Sequence, residues 1–106
     1  MKGDAMDLKI TTKKEDTKVT IAMEGEINTQ TAPELNAVIE KNLPDLKTLC
    51  LDFAGCDFVS SAGLRVLLNT FKEMKKRNDK MEFINIGPNF SEVLNITGLD
   101  KVFGLK

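Results

Sequence analysis

The densest group of side chains able to do chemistry is the run Asp57-Phe58-Val59-Ser60-Ser61-Ala62-Gly63-Leu64-Arg65. Two hydroxyls stand where a helical pattern begins. Gly63 falls in the first turn of that helix, where glycine costs roughly 1 kcal/mol against alanine. Its missing side chain leaves the backbone open to close approach by another group. Phe58 and Val59 put apolar surface beside the hydroxyls. Two readings of the serines stay open on residue chemistry alone. In one, Ser60 or Ser61 is simply an N-cap whose hydroxyl accepts a helix N–H. In the other, a hydroxyl on an interaction surface accepts phosphate. A phosphate there adds about −1.5 to −2 charges, suits the helix dipole, and repels a partner that packs through apolar or acidic groups.

Other chemistries fare worse. The 106 residues include no histidine, which removes Ser-His and Cys-His nucleophile pairs, histidine metal sites and the imidazole acid-base. The two cysteines, Cys50 and Cys56, are too few for a disulfide framework or a four-cysteine zinc site. Cys50 reads as an inert core residue and Cys56 as a loop residue with no basic neighbour to activate it. Asp52 and Asp57 make a poor magnesium pair, because loop carboxylates are mostly solvated or cap something; no metal and no cofactor are expected. Gly55, Gly63 and Gly87 fit neither a P-loop nor a dinucleotide spacing. Lys72, Lys75, Lys76 and Arg77 read as a solvated helix face, with Phe71 assigned to the core. Asn95-Ile96-Thr97 matches a glycosylation acceptor, read as accidental without a secretory signal. Fifteen basic residues against sixteen acidic give a net charge of −1, so attraction to nucleic acid or anionic membrane is not expected. The apolar runs are too short to span a bilayer. Hydrophobic residues at 42% and charged residues at 29% describe an ordinary globular chain. The expectation is one reduced, cytoplasmic, monomeric domain over residues 1–106, with residues 1–6 a frayed start.

The elements that must position this run follow from periodicity. Leu8 and Ile10, then Val19, Ile21 and Met23, alternate with polar residues around the turn Lys14-Glu15-Asp16-Thr17, which predicts a β-hairpin with one buried face. Thr31-Ala32-Pro33-Glu34 reads as a capping box with proline in the first turn, opening a helix through Leu35, Val38, Ile39 and Leu43 that Pro44 stops. Leu49-Cys50-Leu51 suits a strand buried on both faces. Residues 54–60 read as a loop. Leu64, Leu67, Leu68, Phe71 and Met74 mark a second helix. Met81, Phe83, Ile84 and Ile86 mark a further strand. Phe90, Val93 and Leu94 mark a last helix that Gly98 ends, and Leu99, Val102, Phe103 and Leu105 fold back onto the core. The expected class is α/β: a small mixed sheet, an antiparallel hairpin followed by parallel strands, with helices mainly on one side. Ligands and partners of such sheets gather at the carboxyl ends of the strands. Here that rim holds Gly25 to Thr29, residues 54–61 and Gly87-Pro88-Asn89.

These residues resemble a known family, the anti-sigma factor antagonists, free-standing STAS domains of bacterial partner-switching systems. The resemblance runs from about Leu8 to Phe103. It is carried by Gly25-Glu26-Ile27-Asn28 with Thr31-Ala32 and Leu35, by Leu49-Cys50-Leu51-Asp52, by the stretch from Phe58 to Leu68 with its Ser-Ala-Gly-Leu core, and by Thr97-Gly98-Leu99-Asp100-Lys101-Val102-Phe103. It implies a non-enzymatic binding protein. The unphosphorylated form would bind an anti-sigma factor, usually a serine kinase that uses ATP and magnesium, and so release a sigma factor. Phosphorylation of the serine two residues before the glycine, Ser61 here, would disrupt that binding, and a serine phosphatase would restore it. Ser60 is the second candidate acceptor. The implied partner surface holds Asn28, Thr29, Phe58, Val59, Ser60, Ser61, Gly63, Leu64 and Arg65. Many members carry aspartate where this chain has Ser60 and Asn28. Three rivals remain: an unphosphorylated STAS subunit of a lipid-transport complex or a stress-signalling scaffold; a small nucleotide-binding α/β enzyme using Asp52, Asp57 and Ser61; and a phospho-aspartate receiver, which lacks its early acidic pair here.

Overall fold

The computed structural model describes residues 8–105; residues 1–6, expected as a frayed start, lie outside the described residues. The chain forms β1 (Lys9–Glu15), β2 (Lys18–Ile27), α1 (Ala32–Asn42), β3 (Thr48–Val59), α2 (Ser61–Lys76), β4 (Lys80–Ile84), α3 (Pro88–Thr97) and α4 (Leu99–Val102). The four strands lie in the order β1-β2-β3-β4. β1 pairs antiparallel with β2, whereas β2–β3 and β3–β4 are parallel. This is the mixed sheet that the hairpin and the strand–helix alternation predict.

Period-two patterning decides which sheet face is covered. Val19, Ile21 and Met23 of β2 and Leu49, Leu51 and Phe53 of β3 are buried and form one core with Leu35 and Ile39 of α1, Leu67 and Met74 of α2, and Phe90 and Leu94 of α3. The intervening residues Thr20, Ala22 and Asp52 are half-buried, and Glu82 and Ile84 are exposed. A sheet with one solvated face shows this alternation. Cys50 lies on the second face yet is buried, with Thr20 and the Lys18–Glu82 ion pair of 3.7 Å beside it. Aromatic rings close the far side of the core. Phe53 meets Phe90 at 4.8 Å, and Phe103 contacts both Phe83 at 4.7 Å and Phe71 at 5.3 Å between ring centroids. Gly98 ends α3 in the left-handed conformation, φ 78°, as its place after the last apolar turn predicts.

Several expectations need correction. Residues 54–59 are strand rather than loop. The pairing runs from Ala22↔Asp52 to Glu24↔Gly55 and then Glu26↔Phe58, so each step of two residues on β2 takes three on β3. β3 therefore carries two bulges, each with one extra residue. Its buried side chains there are Phe53, Cys56 and Val59, three apart, which hides the strand from a period-two search. Gly55 permits the first bulge, since a Cβ there would stand 2.8 Å from Cγ of Glu24. Cys56 is accordingly buried, and its thiol donates to the Phe58 carbonyl at 3.5 Å. Burial pushes the Cys56 thiol up, and the Cys50 thiol likewise. Thr31 does not cap α1 with its side chain. Its hydroxyl donates to the Glu26 carbonyl at 2.7 Å and accepts from the Asn28 N–H at 2.8 Å, because the chain turns at Asn28 first. Arg77 is not part of a solvated face. Its guanidinium donates to the Leu43 and Leu46 carbonyls at 2.8 and 2.7 Å beyond the end of α1, and to Asp79 at 3.0 Å. β4 stops at Ile84, where Asn85 turns to φ 58°, and Val102 faces outward at 47% exposure.

Candidate functional site

The carboxyl ends of β2 and β3 meet the start of α2. The Ser60 N–H donates to the Ile27 carbonyl at 2.8 Å, which pins the last residue before α2 to the neighbouring strand. Ser60 is extended, at φ −78° and ψ 176°, and its hydroxyl accepts from the Gly63 N–H at 3.4 Å. Ser60 is thus the N-cap, which resolves one of the two readings of the paired serines. Ser61 is the first residue of the helix and is exposed.

Gly63 explains how close the helix start lies to the sheet. A Cβ at this position would stand 2.6 Å from Cγ2 of Ile27 and 2.7 Å from Cγ1 of Val59. The space left by the missing side chain is filled from within the protein rather than by a visitor. Val59 and Gly63 are both buried, so their expected place on a partner surface does not hold; they position the surface from below. Of the remaining predicted site residues, Thr29, Phe58, Ser61 and Arg65 are exposed and Asn28, Ser60 and Leu64 are half-buried. Phe58 shows half of its surface to solvent. The Asn28 side chain is turned inward: its carbonyl oxygen accepts from the Gln30 N–H at 2.9 Å and the Thr31 N–H at 3.0 Å, shaping the loop before α1.

Asp57 is a functional neighbour whose role the sequence does not reveal. Its carboxylate accepts from the Phe90 N–H at 2.9 Å, the Asn89 side-chain amide at 3.0 Å and the Asn89 N–H at 3.3 Å. It therefore caps α3, whose own N-cap, Gly87, has no side chain to do so. A Cβ on Gly87 would meet the same carboxylate at 2.5 Å. Asp52 is likewise engaged, accepting from the Ala54 N–H and the Asn85 amide, both at 2.9 Å. Each carboxylate faces protein donors, an arrangement that serves loop architecture. The segment from Asp57 to Ser61 is thus tied to β2 at one end and to α3 at the other.

Fold and site together define a small α/β domain that presents a hydroxyl at a rigid helix start, beside an exposed aromatic ring. Comparison with known proteins agrees: the STAS domain family matches residues 9–106, and the chain belongs to that family. The putative anti-sigma factor antagonist BtrV of Bordetella bronchiseptica is 28% identical over 97 residues, covering 91% of this chain and 84% of that protein. The anti-sigma-B factor antagonist of Listeria monocytogenes is 26% identical over 103 residues, covering 95% and 90%. The crystal structure of an anti-sigma factor antagonist from Mycobacterium paratuberculosis superposes with a TM-score of 0.77 at 28% identity, over 91% of this chain and 82% of that one. Among the described residues, no helix is long and apolar enough to cross a membrane.

Proposed function

We propose that this protein is an anti-sigma factor antagonist switched by phosphorylation of Ser61. What carries the reading is the division of labour between the two serines: Ser60 caps α2 while Ser61 stands exposed one residue on. Phe58, Thr29 and Arg65 are exposed as well, Thr29 and Arg65 lining one groove, and the relatives that match nearly the whole chain bear the name anti-sigma factor antagonist. The unmodified surface binds an anti-sigma factor with serine kinase activity in the cytoplasm and so frees a sigma factor. That kinase supplies ATP, magnesium and the general base. The Ser61 oxygen attacks the terminal phosphorus of ATP, ADP leaves, and the hydroxyl proton passes to the base. The protein supplies only the acceptor and the docking surface, which makes it a substrate and binding protein rather than an enzyme.

Phosphate at Ser61 places about −1.5 to −2 charges beside Phe58 and weakens an interface that buries that ring. A coupling of roughly 1–3 kcal/mol changes affinity by 5–150-fold. The test is intact-mass analysis after incubation with an anti-sigma factor serine kinase from the same organism, ATP and magnesium. One phosphate is expected on the parent and on Ser60→Ala, and none on Ser61→Ala. Continued modification of Ser61→Ala overturns the assignment, and unchanged kinase affinity of Ser61→Asp overturns the charge switch.

A further inference from the structure

We propose that Arg65 is the internal reader of the Ser61 phosphate, offered to the partner when Ser61 is bare and drawn back to the phosphate when it is modified. The inference rests on the reading of Ser61 as the acceptor and goes beyond it in naming a second component of the switch. Ser61 opens α2, and Arg65 follows four residues later; both are exposed. Residues four apart share one helix face, and the Cα–Cβ bond leans toward the helix N-terminus, so the Arg65 side chain has the reach to swing back over the turn that carries Ser61. An anion placed N-terminal to a cation at this spacing is the favoured order. The first turn of α2 holds no acidic residue to compete for the guanidinium. Among the described residues the ion pairs are Lys18–Glu82 and Arg77–Asp79, so Arg65 carries no carboxylate partner of its own.

Arg65 also lines an open groove of about 330 Å³ between α1 and α2, together with Thr29, Pro33, Asn36 and Val66. The guanidinium therefore has two stations. Over the groove it is a cation available to an acidic group of the partner. Over Ser61 it matches a phosphate through two parallel N–H donors, which a planar guanidinium provides. Modification then does two things at once: it adds negative charge beside Phe58, and it withdraws a positive charge from the groove. Simple repulsion would do only the first.

The experiment needs no kinase. Phosphoserine is installed at position 61 during translation, and the second ionisation of the phosphate is followed by phosphorus NMR at low ionic strength. Arg65→Gln is expected to raise that pKa by about 0.2–0.4 units relative to the parent, and Arg65→Lys to recover part of the difference. The charged groups on the neighbouring elements, Lys18, Glu24 and Glu26 on β2, Asp52 and Asp57 on β3, and Glu34, Glu40 and Lys41 on α1, are common to all variants, so their direct influence cancels. The parent alone gives a second reading: the Arg65 Nε–H resonance moves as the phosphate passes from monoanion to dianion. Equal phosphate pKa values in parent and Arg65→Gln, or an unmoved Nε–H resonance, overturn the proposal. Because the phosphate is installed directly, that failure is distinct from failure of the kinase to modify Ser61.

Discussion

Replacing Gly63 by alanine sets two effects of known size against each other. Inside an exposed helix the change stabilises by about 1 kcal/mol, because alanine loses less backbone entropy. Here the new methyl would stand 2.6 Å from Cγ2 of Ile27 and 2.7 Å from Cγ1 of Val59. Both neighbours are buried and β-branched, so neither has a free χ1 rotation with which to retreat. Relieving two such contacts means moving the start of α2 off the sheet, and overpacking of this kind costs about 1–3 kcal/mol. Two contacts with stiff partners place the cost in the upper half of that range. The net expectation is a destabilisation of about 1–2 kcal/mol, with opposite sign to the helix-propensity effect. In a domain of about 100 residues each kcal/mol lowers Tm by about 4–8 °C. Urea unfolding followed by circular dichroism measures it, and the m-value should stay constant if only the native state is strained. The Ser61 phosphorylation rate should fall as well, since α2 carries the acceptor. A Gly63→Ala variant more stable than the parent would refute the close-packing argument.

Three further outcomes follow from the same geometry. Asp57→Ala removes the acceptor of three donors at the start of α3 and should cost about 1–2 kcal/mol in urea unfolding, with the Asn89 and Phe90 amides exchanging faster; Asp57→Asn should recover part of it. Arg77→Lys keeps the charge but cannot span the Leu43 and Leu46 carbonyls and Asp79 together, so a loss of about 1 kcal/mol or more is expected, whereas Lys76→Ala on the exposed face should stay within about 0.5 kcal/mol. Cys50 and Cys56 should react slowly with a thiol-specific disulfide reagent until the protein is unfolded. Burial raises both thiols in the folded state, so above about pH 8.5 the unfolded chain loses protons first and stability should fall as pH rises.

The architecture was legible wherever one periodicity ran undisturbed. Val19, Ile21 and Met23 announce a one-sided strand, and Leu67, Phe71 and Met74 announce a helix face, because a single buried surface imposes a single repeat. The far half of β3 was not legible, since its bulges stretch the repeat from two to three through Phe53, Cys56 and Val59. Nor could spacing show that Asp57 serves an element 32 residues away, or that Arg77 reaches carbonyls 34 and 31 residues before it. The place of the candidate site rests on two hydroxyls, a glycine and an aromatic residue at one helix start, all visible in the sequence. Choosing between Ser60 and Ser61 was not a matter of composition: both can cap, and only the backbone angles assign the cap to Ser60. Gly63 shows the same limit from the other side, because an empty position looks identical in sequence whether a ligand or a neighbouring strand occupies it.

The paired bulges bear on which length changes this rim can absorb. Two added residues between Phe53 and Val59 leave the in–out parity of β3 where a flat strand would have put it, with Phe58 outward and Val59 inward. Deleting the extra residue of one bulge would return the spacing of buried side chains there from three to two, while pairing with β2 keeps the Phe58 ring outward and the Val59 side chain inward. Either bulge can therefore be lost singly without turning the rim over. A deletion beyond those two extra residues leaves no slack, and it would either invert Phe58 and Val59 or pull the start of α2 back along β2.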